Sequence, residues 1–233
     1  MLRKKVIHSM ISDIYLARNR SIMRISAACS CHIGKRRKNN EDNFFFAGRY
    51  MASCNNGLGS ILEKNFPLKK DRFFAVFDGM GGESCGEMAA FLAAEACGEH
   101  FKTAKDGIRN DPEEFLNEIC ESMNQAICDY GRTNKINSMG TTAALLAFAE
   151  DAVYSCNLGD SRIYKSDREK FYQISQDHVL GRSLFGKAPL TQYLGMEEEN
   201  LGYDIGMQGR QLYECAIMDT VVVLPEYRGM HLQ

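Results

Sequence analysis

The chain lacks a long apolar run: nothing in it approaches the eighteen or so consecutive hydrophobic residues that a membrane-spanning helix needs, so no membrane span is expected. It also lacks a dominant sign of charge. With 28 Lys and Arg against 30 Asp and Glu, the formal net charge is -2, and no general field draws the surface to nucleic acid or to an anionic membrane. Internal repeats and low-complexity tracts are absent, which removes repeat arrays from consideration. A zinc site is poorly served as well. Cys29, Cys31 and His32 form the close ligand group, but no second Cys/His pair stands at a spacing that completes a tetrahedral site, and strand cysteines are the plainer reading. The nine cysteines are odd in number and irregularly placed in a chain too long to need stapling, so a reduced, cytoplasmic protein is expected rather than a disulfide framework.

What is present is enough for one sizeable core: 233 residues, 45% of them hydrophobic. Residues 1–22 are basic, carry Ile7, Met10, Ile11 and Ile14 at helical spacing and lack the apolar core of a secretory signal; they are expected to form a short helical N-terminal extension. Residues 23–199 read as the domain, and residues 200–233 as a tail. Within the domain, residues 24–31 and then Phe44, Phe45 and Phe46, joined by a polar turn, predict a hairpin-like start. Residues 72–77 are apolar on both strand faces, as in a strand buried between two layers.

Met88, Phe91, Leu92 and Ala96 predict a packed helix. A second helix is better punctuated: Asp111 as cap, Pro112 at its first position, a stripe of Phe115, Ile119, Met123 and Ile127, and Gly131 as its stop. Residues 141–148, 153–157, 162–164 and 171–174 then predict an antiparallel meander. Strands, two long helices and more strands with short turns define an α+β layered domain.

The chemistry gathers at strand ends. Glu41-Asp42, Asp78-Gly79 and Asp160 offer hard oxygen donors without His or Cys neighbours, a set that suits Mg²⁺ or Mn²⁺, and a carboxylate beside a glycine carbonyl can bridge two such ions. Acidic turn residues are also common as plain solvated turn formers. Gly79, Gly81 and Gly82, directly after Asp78, ask for close approach of something to the backbone. Arg37, beside these acids, has the planar fork that phosphate recognition uses; a solvated basic turn is the competing reading.

Five stretches in order, Gly34-Lys-Arg-Arg-Lys-Asn-Asn-Glu-Asp42, Phe74-Ala-Val-Phe-Asp-Gly-Met-Gly-Gly82, Met139-Gly-Thr-Thr142, Asn157-Leu-Gly-Asp-Ser-Arg162 and Gln176-Asp-His178, resemble the motifs of the PPM family, the type-2C protein phosphatases. Leu190-Thr-Gln-Tyr-Leu-Gly195 resembles a later segment of the same family. The resemblance implies a β-sandwich flanked by helices in α-β-β-α layers, two Mn²⁺ or Mg²⁺ ions, and attack of a metal-bridging water on phosphoserine or phosphothreonine of a protein substrate, opposite a Ser/Thr kinase. It assigns Asp78 as the bridging metal ligand, Gly79 as a carbonyl ligand, Glu41 and Asp42 to the metal shell, Arg37 to the phosphate and Asp160 to a further, weaker ion. Met80 stands where several eukaryotic relatives have histidine, and the chain is more similar to the bacterial branch there.

After Gly195 the family continues with Ser-Asp-Gly and closes with Asp-Asn before a Thr/Val-rich strand; neither motif is intact here, and recognisable C-terminal strands are lacking. Asp204 and Asp219 are the acids in this tail that stand as substitutes. A truncated or frame-shifted product and a catalytically impaired module that binds phosphoproteins or a regulatory partner account for the tail equally, so two functions remain: hydrolysis and phosphoprotein binding.

Overall fold

In the strand Arg72–Met80 every residue from Phe73 to Gly79 is buried, and the alternation splits them between two cores. Phe73, Ala75 and Phe77 join a core made with helices, whereas Phe74 and Val76 join a core made with a second sheet. The computed structural model describes residues 10–15, 24–35, 37–67, 72–80, 85–104, 106–149, 152–166, 170–181, 188–209 and 214–218. In chain order these form β1 (Met10–Tyr15), β2 (Arg24–Cys29), β3 (Asp42–Phe46), β4 (Leu62–Pro67), β5 (Arg72–Met80), α1 (Gly86–Thr103), α2 (Gly107–Asn110), α3 (Pro112–Asn134), β6 (Gly140–Thr141), β7 (Ala143–Phe148), β8 (Ala152–Leu158), β9 (Arg162–Ser166), β10 (Phe171–Gln173), β11 (Asp204–Gly209) and β12 (Glu214–Met218).

Two antiparallel sheets stack face to face. The first runs β10-β9-β12-β1-β2-β4; the second runs β11-β8-β7-β5-β3, with β6 added to β5. Their inner faces meet through Ile25, Ala27 and Cys29 of the first sheet and Phe44, Phe46, Phe74, Val76, Leu146 and Phe148 of the second. Helices α1 and α3 cover the outer face of the second sheet. Ala89, Ala90, Ala93 and Ala94 are fully buried, so small side chains let α1 lie close to its neighbours, while Phe115, Leu116, Ile119, Cys120 and Met123 of α3 close the layer. Each large apolar side chain buried this way contributes about 1.5–3 kcal/mol. Among the described residues no helix covers the outer face of the first sheet.

The helical expectations hold in α1 and at the start of α3, where Asp111 accepts a hydrogen bond from the Glu114 amide at 3.0 Å and Pro112 takes the first position. The end of α3 differs. Gly131 is buried inside the helix, which runs on to Asn134 and stops at Lys135 in the left-handed conformation, φ 57°.

Three further expectations are corrected. Met10–Tyr15 is a strand, paired with β2 and β12, where residues 1–22 predict a helical extension; the rest of that segment lies outside the described residues. The hairpin-like start is not one: β2 pairs with β4 in the first sheet and β3 with β5 in the second. The meander breaks after β8, because β9 belongs to the other sheet. In a sandwich a short polar turn serves equally to reverse a strand within a sheet or to carry the chain across, and local sequence does not distinguish the two. The tail, for its part, supplies β11 to one sheet and β12 to the other.

Candidate active site

At one end of the second sheet the chain brings Asp42 directly opposite Asp78. The Gly79 amide donates to the Glu41 carbonyl at 3.1 Å. That bond makes Asp42 and Asp78 a non-hydrogen-bonded pair, the closer type, with Cα atoms about 4.5 Å apart. Phe44, Phe46, Phe74 and Val76 all face the opposing sheet, and Asp42 and Asp78 continue the same alternation. Both carboxylates therefore emerge toward the open end of the sandwich, Asp78 buried and Asp42 half-buried.

The glycine after Asp78 is demanded by the protein's own backbone. A Cβ on Gly79 would stand 2.1 Å from the Gly86 carbonyl oxygen at the start of α1 and 2.6 Å from that of Glu41. The close approach foreseen from the glycines is thus made here by α1 itself. Gly81 and Gly82 lie outside the described residues.

Thr142 ties this corner to Asp160. Its Oγ1 accepts the Asp78 amide at 3.0 Å and lies 2.6 Å from Ser161 Oγ, and its own amide donates to the Asp78 carbonyl at 2.9 Å. A Cβ on Gly159 would meet Thr142 Cγ2 at 2.6 Å. Asp160 sits between two residues packed on Thr142, which brings it to the same end of the sheet. Arg37 donates from Nη1 to Glu41 Oε2 at 3.0 Å in an exposed ion pair, so guanidinium and acidic turn are adjacent.

The remaining motifs buttress this end. Arg162 Nε donates to both Asp177 carboxylate oxygens at 2.9 and 3.0 Å, Asn157 Nδ2 donates to the Gln176 carbonyl at 2.9 Å, and the His178 amide donates to the Gly159 carbonyl at 2.9 Å. The bond to Asp177 holds the Arg162 guanidinium even higher than its ordinary range. Leu194 exchanges two backbone hydrogen bonds with Thr141, 3.0 and 2.9 Å, which seats the segment before Gly195 against β6.

Asp204, the tail acid considered as a substitute, is elsewhere. It opens β11 opposite Asn157, three strands from Asp78, or about 14 Å at the usual strand spacing of about 4.8 Å. His178 Nδ1 accepts the Gly159 amide at 3.3 Å, which leaves Nε2 to donate to Asp204 Oδ2 at 3.1 Å. Asp219 lies outside the described residues.

The donor chemistry fits a hard divalent cation. Two opposed carboxylates, with the Asp160 carboxylate and the Gly79 peptide at the same end, are oxygen donors of the type Mg²⁺ and Mn²⁺ take, and Mg²⁺ is commonly held by one or two carboxylates with the rest of its shell water. Like charges directly opposed across a sheet are otherwise destabilising. Among the described residues no three His, Cys, Asp or Glu side chains converge into a complete metal-binding group, so the fit rests on the Asp42–Asp78 pair. The Cys29–Cys31–His32 group is spent structurally: burial, then the neighbouring Cys31, pushes the Cys29 thiol well up, Cys31 Sγ accepts from Asn40 Nδ2, and His32 Nδ1 accepts from the Gly34 amide.

Asn40, Cys31 and Thr142 are the residues that the acidic motifs alone do not reveal. The signals for Thr142 are its place in the Met139-Gly-Thr-Thr142 motif and the polar pair it forms in the otherwise apolar run that ends in Phe148.

The helix-backed antiparallel β-sandwich is a fold that solved serine/threonine phosphatase structures share. The chain is similar to the serine/threonine phosphatase Stp1 of Staphylococcus aureus, with TM-score 0.63 at 20% identity over 85% of this chain and 77% of that one. It is similar likewise to the Mycobacterium tuberculosis serine/threonine phosphatase PstP/Ppp, with TM-score 0.61 at 22% identity over 82% and 75%. The family model described as Protein phosphatase 2C matches residues 66–183. The chain belongs to the protein phosphatase 2C family. Among sequence relatives, protein phosphatase PhpP of Streptococcus pneumoniae is 27% identical over 159 residues, and serine/threonine phosphatase stp of Listeria innocua is 28% identical over 161. Each alignment covers 68% of this chain and 57% of the relative, so the chain spans a little over half the length of those curated relatives. Among the described residues no helix is long and apolar enough to cross a membrane.

Proposed function

We propose that the chain hydrolyses phosphoserine and phosphothreonine in proteins, using Mn²⁺ or Mg²⁺ held at Asp42 and Asp78, and so opposes a Ser/Thr kinase in a cytoplasmic signalling pair. The observation that carries this reading is the directly opposed Asp42–Asp78 pair, with Arg37 and Glu41 beside it. Two ions are proposed, one of them weakly held, because only two carboxylates are directly opposed.

When bound, such ions acidify a water and neutralise phosphoryl charge. The chain's own residues do the rest. Asp42 and Asp78 fix the position of the cations relative to the sheet, and Glu41, Asp160 and the Gly79 carbonyl are the further oxygen donors of the same end. Arg37 orients the phosphate: its exposed pair with Glu41 is worth about 0–1 kcal/mol, so exchanging that carboxylate for two phosphate oxygens costs little. Met80 has no proton to give, which leaves the leaving-group proton to water.

A second reading, phosphoprotein binding without turnover, is favoured by one observation: the tail carboxylate of Asp204 is engaged by His178 at the opposite edge of the sheet. Manganese-dependent phosphate release from a phosphothreonine peptide separates the two. Turnover that Asp78→Asn abolishes supports hydrolysis; peptide binding that persists with no turnover by the parent chain supports the binding module.

A further inference from the structure

Asp42 and Asp78 form a non-hydrogen-bonded cross-strand pair, so the amide and carbonyl of each point away from the other and need partners outside the pair. For Asp42 no strand among the described residues lies on that side, because β3 is the edge of its sheet. Two side chains take the place of a strand. Asn40 Oδ1 accepts the Asp42 amide at 3.3 Å, and the Cys31 thiol donates to the Asp42 carbonyl at 3.9 Å. Asn40 is itself 1% exposed and is fixed by its Nδ2, which donates to Cys31 Sγ at 3.0 Å and to Asn55 Oδ1 at 2.9 Å.

On the other side of the pair Thr142, also 1% exposed, holds both groups of Asp78: its hydroxyl oxygen accepts the amide and its own amide meets the carbonyl. Its hydroxyl is in turn held by buried Ser161 at 2.6 Å. The hydroxyl of Thr142 is not needed to fill space, since a valine fills the same volume, and the Asn40 amide is spent on hydrogen bonds to Asp42, Cys31 and Asn55. What each adds is a fixed backbone, and therefore a fixed Cα–Cβ direction, at a carboxylate.

We propose that Asn40 and Thr142 are positioning residues that hold Asp42 and Asp78 in register to share a divalent cation. This rests on the reading of Asp42 and Asp78 as metal ligands. Outer partners of metal ligands commonly change affinity by about 10- to 100-fold.

The test is calorimetric Mn²⁺ titration of the full chain and of Thr142→Val, Thr142→Ser and Asn40→Ala, together with amide exchange of Asp78 in metal-free protein. Thr142→Val and Asn40→Ala are each expected to weaken Mn²⁺ about tenfold, near the low end of that range, with Thr142→Ser restoring parental affinity. Asp78 amide exchange should be faster in Thr142→Val and parental in Thr142→Ser. Unchanged affinity in Thr142→Val, or loss that Thr142→Ser does not rescue, overturns the positioning role while the ligand reading stands. A parent chain that binds no Mn²⁺ overturns both. Should Thr142→Val fail to fold, Ser161→Ala carries the test, since it frees the Thr142 hydroxyl; unaltered Mn²⁺ affinity there also overturns the role.

Discussion

Two corners of the second sheet lie at the same end and carry the same kind of residue, yet they differ in what stands opposite. At the β3–β5 corner Asp78 faces another carboxylate, Asp42. At the β8–β11 corner Asp204 stands opposite Asn157, a neutral residue, and its carboxylate is met by His178. Carboxylate against carboxylate concentrates negative charge that a cation relieves, whereas Asp204 stands opposite a neutral residue and already has the His178 imidazole as a hydrogen-bond partner. An aspartate at a strand end is therefore not a metal ligand by virtue of its type. Its cross-strand neighbour decides.

The largest difference between the corners should come from their glycines. Gly79→Ala would drive a Cβ into two backbone carbonyls, while a Cβ on Gly206 of β11 meets the Ser155 hydroxyl at 3.0 Å, a side chain that can turn away. Gly79→Ala is expected to cost about 3 kcal/mol or more and Gly206→Ala less than about 1, seen as a melting temperature lower by roughly 6 °C against one nearly unchanged. Equal shifts would break the comparison.

Next comes the metal. Asp78→Asn is expected to weaken Mn²⁺ at least about 30-fold, near 2 kcal/mol, with Asp160→Asn weakening it less and Asp204→Asn by under about twofold. Calorimetric titration checks this, and an Asp204→Asn loss as large as that of Asp78→Asn would move the site to the tail corner. Arg37→Ala sharpens the phosphate side of the same corner: phosphothreonine-peptide affinity should fall about tenfold, while the melting temperature moves by no more than about 2 °C, since an exposed ion pair is all the fold loses. A sharp drop in melting temperature with peptide affinity intact would make Arg37 structural.

The smallest effect belongs to the tail corner. Burial, then the nearby Cys120 and Cys156 thiols, pushes the Tyr203 phenol up to about 12. The unfolded phenol loses its proton near pH 10 and the folded one near 12, so the stability it contributes is complete below pH 10 and is lost as pH rises toward 12. Tyr203→Phe should flatten part of that alkaline decline in chemical denaturation and leave Mn²⁺ binding at the other corner untouched. A decline of the same depth in the variant would assign it to other groups.

Much of this is written locally. The double-faced burial of Phe73 to Phe77, the alanine face of α1 and the Asp111-Pro112 start of α3 follow from alternation, side-chain size and capping, all of which act over a few residues. The order of the acidic, glycine-rich and Gly-Thr-Thr motifs is likewise legible, and with it the family. What the residues do not carry is which sheet the next strand joins. The polar connections after β2 and β8 read alike whether the chain reverses or crosses, and the apolar spacing of Met10, Ile11 and Ile14 suits a helix as well as the strand it forms.

By itself, then, the sequence determined the faces of the central strand and of the two long helices, and it singled out the candidate residues Arg37, Glu41, Asp42, Asp78, Gly79 and Asp160. Only the tertiary structure decided that Asp42 stands opposite Asp78, that Asp204 is drawn to His178, that Gly79 makes room for α1, and that Asn40 and Thr142 hold the two carboxylate-bearing peptides. The reason is that side-chain periodicity is set by backbone geometry over a few residues. Strand pairing is set by which apolar faces bury together, 36 residues apart for Asp42 and Asp78 and 64 for Asp78 and Thr142, and it is pairing that brings separate acids together as a candidate site.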